Sequence, residues 1–172
     1  MKYFKLLLLV IFVLPSIAFT QEKPSVMATI VSLIKARKNE FVDLKGKFIA
    51  TDKENSDYYS CSQGFGAKTE ALKYGKNNNR STFLSYFDYS DTDELLKGSA
   101  IVDEIAKTIN IIAGNSPNAV YKAYDYQTAD GIDITEVVDN NNGFLVMRIA
   151  SGKEIKSLTL TFYSANYGKP NQ

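Results

Sequence analysis

The sequence predicts an α+β domain: an antiparallel β-meander sheet with two helices packed on one face, in the order α-β-β-β-β-α-β-β-β-β. Three observations predict it. Apolar residues recur at helical spacing in two segments, 25–44 and 91–112. Elsewhere, across 48–89 and 120–163, the period drops to two. The strand-like runs are parted by short polar turns. Parallel neighbours need long crossovers, so these runs must pair antiparallel.

The elements follow in order. Ser25 is the expected N-cap of a first helix over about Ser25 to Asn39, with Val26, Ile30 and Ile34 at helical spacing and a structured exit through Phe41 and Leu44. Gly46 closes it, and Lys45 and Lys47 sit where a helix dipole favours cations. Phe48 to Thr51 and Tyr58 to Cys61 are short strands. Ala71 to Tyr74 and Ser81 to Tyr89 flank Gly75-Lys76-Asn77-Asn78-Asn79, a hairpin loop of residues that tolerate positive φ. Asp91 and Glu94 have capping-box spacing at the start of a second helix. Leu95, Val102, Ile105, Ala106, Ile109 and Ile112 form its expected apolar face, and Gly114 and Pro117 stop it. Val120 to Tyr126, Ile132 to Val138, Phe144 to Ala150 and Ile155 to Tyr163 complete a second meander. A helix plus a small meander is thus used twice.

Residues 1–20 read as a secretory signal: a basic start, a nine-residue apolar run from Leu6 to Leu14, then Pro15 and small residues. Cleavage is expected after Ala18 or after Thr20, leaving 21–172 as one α+β domain. The apolar run is too short for a stable membrane span, which needs about 20 residues. The expected location is the periplasm or the outside of the cell.

Charge excludes one class of partner. The leader holds Lys2 and Lys5 and no acid, so the remainder has 18 basic side chains against 19 acidic ones. Such balance leaves no cationic footprint for nucleic acid. The chain has no histidine and one cysteine, Cys61. The usual general base, the imidazole-activated nucleophiles and a thiolate zinc cage are therefore missing, and no catalytic residue, metal ligand or cofactor is assigned. Asp139-Asn140-Asn141-Asn142-Gly143 resembles half a calcium loop but fails its register and reads as a turn. Asp130 with Asp133, or Asp91 with Asp93, are the carboxylate pairs a histidine-free hydrolase would use.

Parity in the last two strands marks a candidate site. Leu145, Met147 and Ile149 share a side with Leu158, Leu160 and Phe162, and this all-apolar set belongs under the helices. The opposite side carries Phe144, Val146 and Arg148, then Thr159, Thr161 and Tyr163. Aromatics beside a mid-strand arginine make good anchors for a partner. The competing reading is a solvated face of β-forming residues.

The leader, the Phe41-Val42-Asp43-Leu44-Lys45-Gly46 step, Tyr59-Ser60 and Gly66-Ala67 resemble a group of small secreted proteins of Bacteroidota. That resemblance implies a compartment and no chemistry. The function expected is a secreted or periplasmic non-enzymatic binding module for a protein, peptide or glycan. A small carboxylate-dependent hydrolase of envelope or extracellular glycan, and a structural subunit of an envelope assembly, are the alternatives.

Overall fold

A computed structural model describes residues 24–76, 80–114, 118–152 and 155–167. The leader and its cleavage positions, Asn77 to Asn79, Pro117 and Lys153 lie outside the described residues. The fold is α+β. A helix α1 (Val26–Ala36) precedes β1 (Lys45–Thr51), β2 (Ser56–Cys61), β3 (Thr69–Gly75) and β4 (Arg80–Asp88). A helix α2 (Thr92–Ile112) precedes β5 (Tyr121–Gln127), β6 (Asp133–Asp139), β7 (Leu145–Gly152) and β8 (Ser157–Tyr163). All eight strands form one antiparallel sheet in the order β1-β2-β3-β4-β8-β7-β6-β5. Each meander starts at an outer edge, and the final strands of the two meanders pair at the centre.

Ser25 caps α1 by accepting a hydrogen bond from the Ala28 amide at 3.2 Å. The helix buries Thr29, Ile30, Leu33, Ile34 and Ala36. Its predicted last turn is instead a 3-10 turn over Arg37–Asn39, followed by a second over Val42–Leu44. Between them Glu40 and Phe41 both take left-handed backbone conformations, with φ of 59° and 58°. Such conformations are costly without glycine. Tertiary contacts hold them: the Phe41 amide donates to Ala36 O at 2.9 Å, Tyr74 Oη donates to Glu40 O at 2.8 Å, and the Phe41 ring is fully buried.

Asp91 caps α2, accepting from the amides of Asp93 and Glu94. The helix is rolled away from the predicted face. It buries Glu94, Gly98, Ile105, Thr108 and Ile109, while Leu95, Val102 and Ala106 are exposed. Gly98 explains the roll: a Cβ there would lie 2.8 Å from the Tyr89 ring and 3.4 Å from Phe87 Cβ. Close approach at that glycine turns its side of the helix toward β4. The buried polar groups are satisfied locally. Thr108 donates to Glu104 O at 2.7 Å, and Glu94 accepts from the Lys68 amide at 3.0 Å.

Both helices share one hydrophobic core with the same side of the sheet. The rings of Phe65, Phe83 and Phe162 pack at centroid distances of 6.0–6.2 Å in its middle. Strand β7 departs from simple alternation. Val137 pairs with Met147, yet Val138 pairs with Leu145, so Val146 is the extra residue of a bulge. Val146 and Met147 are both buried in the core. Leu145 moves to the opposite face, across from Val138. The side predicted for Leu145 and Val146 is thereby reversed.

Carboxylates fix several turns. Asp52 accepts from the Ser56 amide, Asp57 from Thr51, Asp88 from Ser90 and Asp91 from Lys68. These bonds hold all four carboxyls below their ordinary 3.8 in the folded chain. Their contribution to stability is complete above the unfolded value and is lost as pH falls through the lower folded values. With no histidine to titrate near neutrality, the denaturation midpoint is expected to be flat from pH 7 to about 4.5 and to fall steadily below about 4. Denaturant unfolding at a series of pH values checks this; a midpoint that rises on acidification would contradict it.

Candidate functional site

The face of the sheet turned away from the helices is built in rows across the strands. One row runs Tyr126, Ile134, Ala150, Thr159, Tyr86. The next runs Tyr124, Glu136, Arg148, Thr161, Leu84, Ala71. A third, toward the other ends of the strands, runs Tyr163, Thr82, Lys73, Tyr58, Ala50. Aromatic rings stand at the ends of the first row, with smaller side chains between them. Tyr86, Tyr124 and Tyr126 are 38%, 52% and 46% exposed.

Arg148 sits mid-sheet and donates from Nε to Glu136 Oε1 at 2.8 Å, with a second bond from Nη2. The Glu136 bond pushes the Arg148 pKa up, so the cation persists at all physiological pH. Its side chain is 43% exposed, which leaves one edge of the guanidinium toward solvent. Thr159 and Thr161 are half-buried beside it. Tyr163 lies on the same face but is only 7% exposed, because the Tyr167 ring covers it at a centroid distance of 4.3 Å. Burial raises its phenol pKa.

Of the six predicted site residues, Arg148, Thr159, Thr161 and Tyr163 share this face. Val146 does not: the β7 bulge places it in the core. Phe144 precedes β7, in the turn where Asn142 Oδ1 accepts its amide at 2.8 Å. That turn has the predicted chemistry, with the amides of Asn141 and Gly143 bonded back to Asp139 and Gly143 at φ 71°.

One concavity on this face was not legible in the sequence. It is a cleft of about 290 Å³ at the end of β2, β3 and β4, lined by Glu54, Ser56, Lys73, Gly75, Lys76, Arg80, Thr82 and Tyr167. Ser56, Gly75 and Arg80 are cross-strand neighbours, as are Lys73 and Thr82. Tyr167 forms a wall, with the Arg80 guanidinium 5.4 Å from its ring centre. Asp52 and Glu54 approach Lys73 at 3.2 and 3.6 Å, and Asp57 approaches Lys76 at 3.0 Å.

The carboxylate pairs fall elsewhere. Asp91 is the N-cap of α2 and Asp93 lies in its first turn; both Asp91 oxygens are engaged, one by the cap and one by Lys68. Asp130 and Asp133 flank the β5–β6 turn, and Asp133 accepts from Gln127 at 2.9 Å. Among the described residues no cluster of three His, Cys, Asp or Glu side chains could hold a metal ion. Cys61 is half-buried against the core, and burial pushes its thiol pKa up. Among the described residues no helix is long and apolar enough to cross a membrane. Comparison with family models, with curated proteins and with solved structures finds no match.

Proposed function

We propose that the chain is an exported, non-enzymatic binding module that holds a protein, peptide or glycan partner on the open face of its sheet. One observation carries the reading. Both helices pack on one side of eight strands, and the other side presents Tyr86, Tyr124 and Tyr126 exposed around the central Arg148. Tyrosine and arginine are among the side chains that most often anchor interfaces. Tyrosine rings offer large contact area, with a hydroxyl that tolerates water.

Arg148→Ala is expected to leave the fold intact, with a stability loss under about 1 kcal/mol, since its Glu136 pair is partly solvated. Partner capture should suffer far more. Immobilised wild-type protein, Arg148→Ala, Tyr126→Ala and the helix-face control Lys107→Ala would be exposed to solubilised native envelope. The partner is expected to be retained by wild type and the control and lost from both sheet variants. Equal retention by all four, or unfolding of Arg148→Ala, overturns the assignment of the site.

A further inference from the structure

The two outer strands of the sheet differ in how they are protected. β1 carries two irregularities in its pairing with β2, between Lys45 and Phe48 and between Phe48 and Ala50, and it carries Lys45 and Lys47. Bulges and lysines are the ordinary means by which an edge strand is kept from pairing with another chain. β5 keeps an unbroken register with β6, from Tyr121 opposite Asp139 to Gln127 opposite Asp133. Its residues from Ala123 to Gln127 are all exposed. Among the described residues, its outer side is met at Tyr121, by a bridge to Ala113. The main chain shows which groups remain. Val120 O accepts from the Asn140 amide, and the Thr128 amide donates to Ile132 O. Even-numbered residues of β5 therefore turn their main-chain groups toward β6, and those of Ala123, Asp125 and Gln127 point outward. The side chains of Lys122, Tyr124 and Tyr126 alternate onto the open face.

We propose that β5 pairs antiparallel with β5 of a second copy, joining two eight-stranded sheets across a two-fold axis at Tyr124. The strand is complementary to itself in that register. Ala123 faces Asp125 of the second copy, and Asp125 faces its Ala123, so each pair exchanges two main-chain hydrogen bonds. On the open face Tyr124 meets Tyr124, and Lys122 meets Tyr126 on either side of the axis. A ring–ring contact is thus flanked by two cation–ring contacts, and no like charges are opposed. Neighbouring registers are worse. An axis at Asp125 sets two aspartates against each other. An axis at Ala123 draws on the outward groups of Tyr121, which Ala113 already meets. Two-fold pairing uses both β5 edges and leaves the two guarded β1 edges outermost, so assembly stops at two. The inference goes beyond the recognition surface and does not depend on it, because Arg148 lies two strands in from this edge.

Sedimentation velocity of residues 21–172, which hold every described element, is the first measurement. Over about 1 to 500 µM, the span of weak to moderate interfaces, the boundary is expected to move from monomer to dimer. Ala123→Pro removes an outward N–H and no bond to β6, so it should abolish the dimer with the fold retained. If Ala123→Pro unfolds, Tyr124→Lys carries the test: it opposes two lysines across the axis and should weaken the dimer about tenfold. Oxidation reads the register. Tyr124→Cys should give a disulfide-linked dimer, since opposed residues not hydrogen-bonded to each other bring their Cα atoms to about 4.5 Å. Ala123→Cys, diagonal to its counterpart, and Ala50→Cys on β1 should cross-link no more than wild type with its Cys61. A monomer at every concentration, or a dimer indifferent to Ala123→Pro and Tyr124→Lys, overturns the inference. Species larger than a dimer, or Ala50→Cys cross-linking as well as Tyr124→Cys, overturn the two-fold closure. Arg148→Ala should dimerise as wild type does. Absence of the dimer while Arg148-dependent capture persists refutes this inference alone, and a dimer whose capture is insensitive to Arg148 refutes the recognition surface alone.

Discussion

Phe162→Ala is expected to lower stability by about 3–5 kcal/mol, the usual cost of emptying a buried aromatic site. Phe162 is fully buried and packs on Phe65 and Phe83 at 6.1 and 6.0 Å between ring centres. It also lies on β8, paired across to Phe83 on one side and Met147 on the other. The cavity would therefore open where the two meanders meet and beneath the loop that carries Phe65. Collapse into it is hindered because both neighbouring strands are fixed by main-chain ladders. Against a typical total of about 5–15 kcal/mol, such a loss approaches unfolding. The adjacent Thr161→Ala, on the open face, should cost under about 1 kcal/mol. Denaturant unfolding of both variants measures the contrast. Similar losses would mean that the assignment of faces on β8 is wrong.

Arg37→Ala should rank next, at about 3 kcal/mol, since two acceptors each lose a partner worth about 1–3 kcal/mol. Arg37 is buried at the end of α1. Its Nε donates to Tyr163 O at 2.9 Å and its Nη2 to Leu145 O at 3.3 Å. One guanidinium thus ties the first helix to the ends of β7 and β8, and the Arg37 carbonyl accepts the Ala165 amide at 2.9 Å to hold the chain beyond them. Burial draws the Arg37 pKa down, yet a guanidinium starts so high that it stays charged. Arg37→Lys should recover only part of the loss, because an ammonium lacks the planar fork that reaches both carbonyls. Thermal and denaturant unfolding of the pair gives the ranking. A loss below about 1 kcal/mol in Arg37→Ala would show that water replaces the guanidinium at both carbonyls.

The fold was legible because alternation and turn chemistry agree over most of the chain. The β-hairpins around Gly75 and Gly131 and the cap at Asp91 follow from local residues alone. Two misplacements have physical causes. Leu145, Val146 and Met147 are three apolar residues in succession, so either parity fits, and the sequence carries no mark of the bulge that sends Val146 inward. The second helix offers more apolar residues than it buries. Ranking them by hydrophobicity selects Leu95 and Val102, whereas the packing is decided by the smallness of Gly98. The site was half visible. Arg148, Thr159 and Thr161 follow from period two alone. Ser56, Arg80 and Thr82 come together only through the pairing of three strands, and Tyr167 arrives from beyond the last strand, where no periodicity points to its position.

The central pairing of β4 with β8 also governs how the chain can assemble. The first meander presents Phe83 and Phe87 on a strand whose outer hydrogen-bonding edge is met only by the last strand in sequence. As the chain is synthesised, that half waits for roughly seventy further residues with an unsatisfied, greasy border. Such long-range closure is slow and invites pairing with other chains. A chaperone or a neighbouring polypeptide would find β4 the natural place to bind an unfinished molecule, and a truncation that removes β8 would leave that vulnerability permanent.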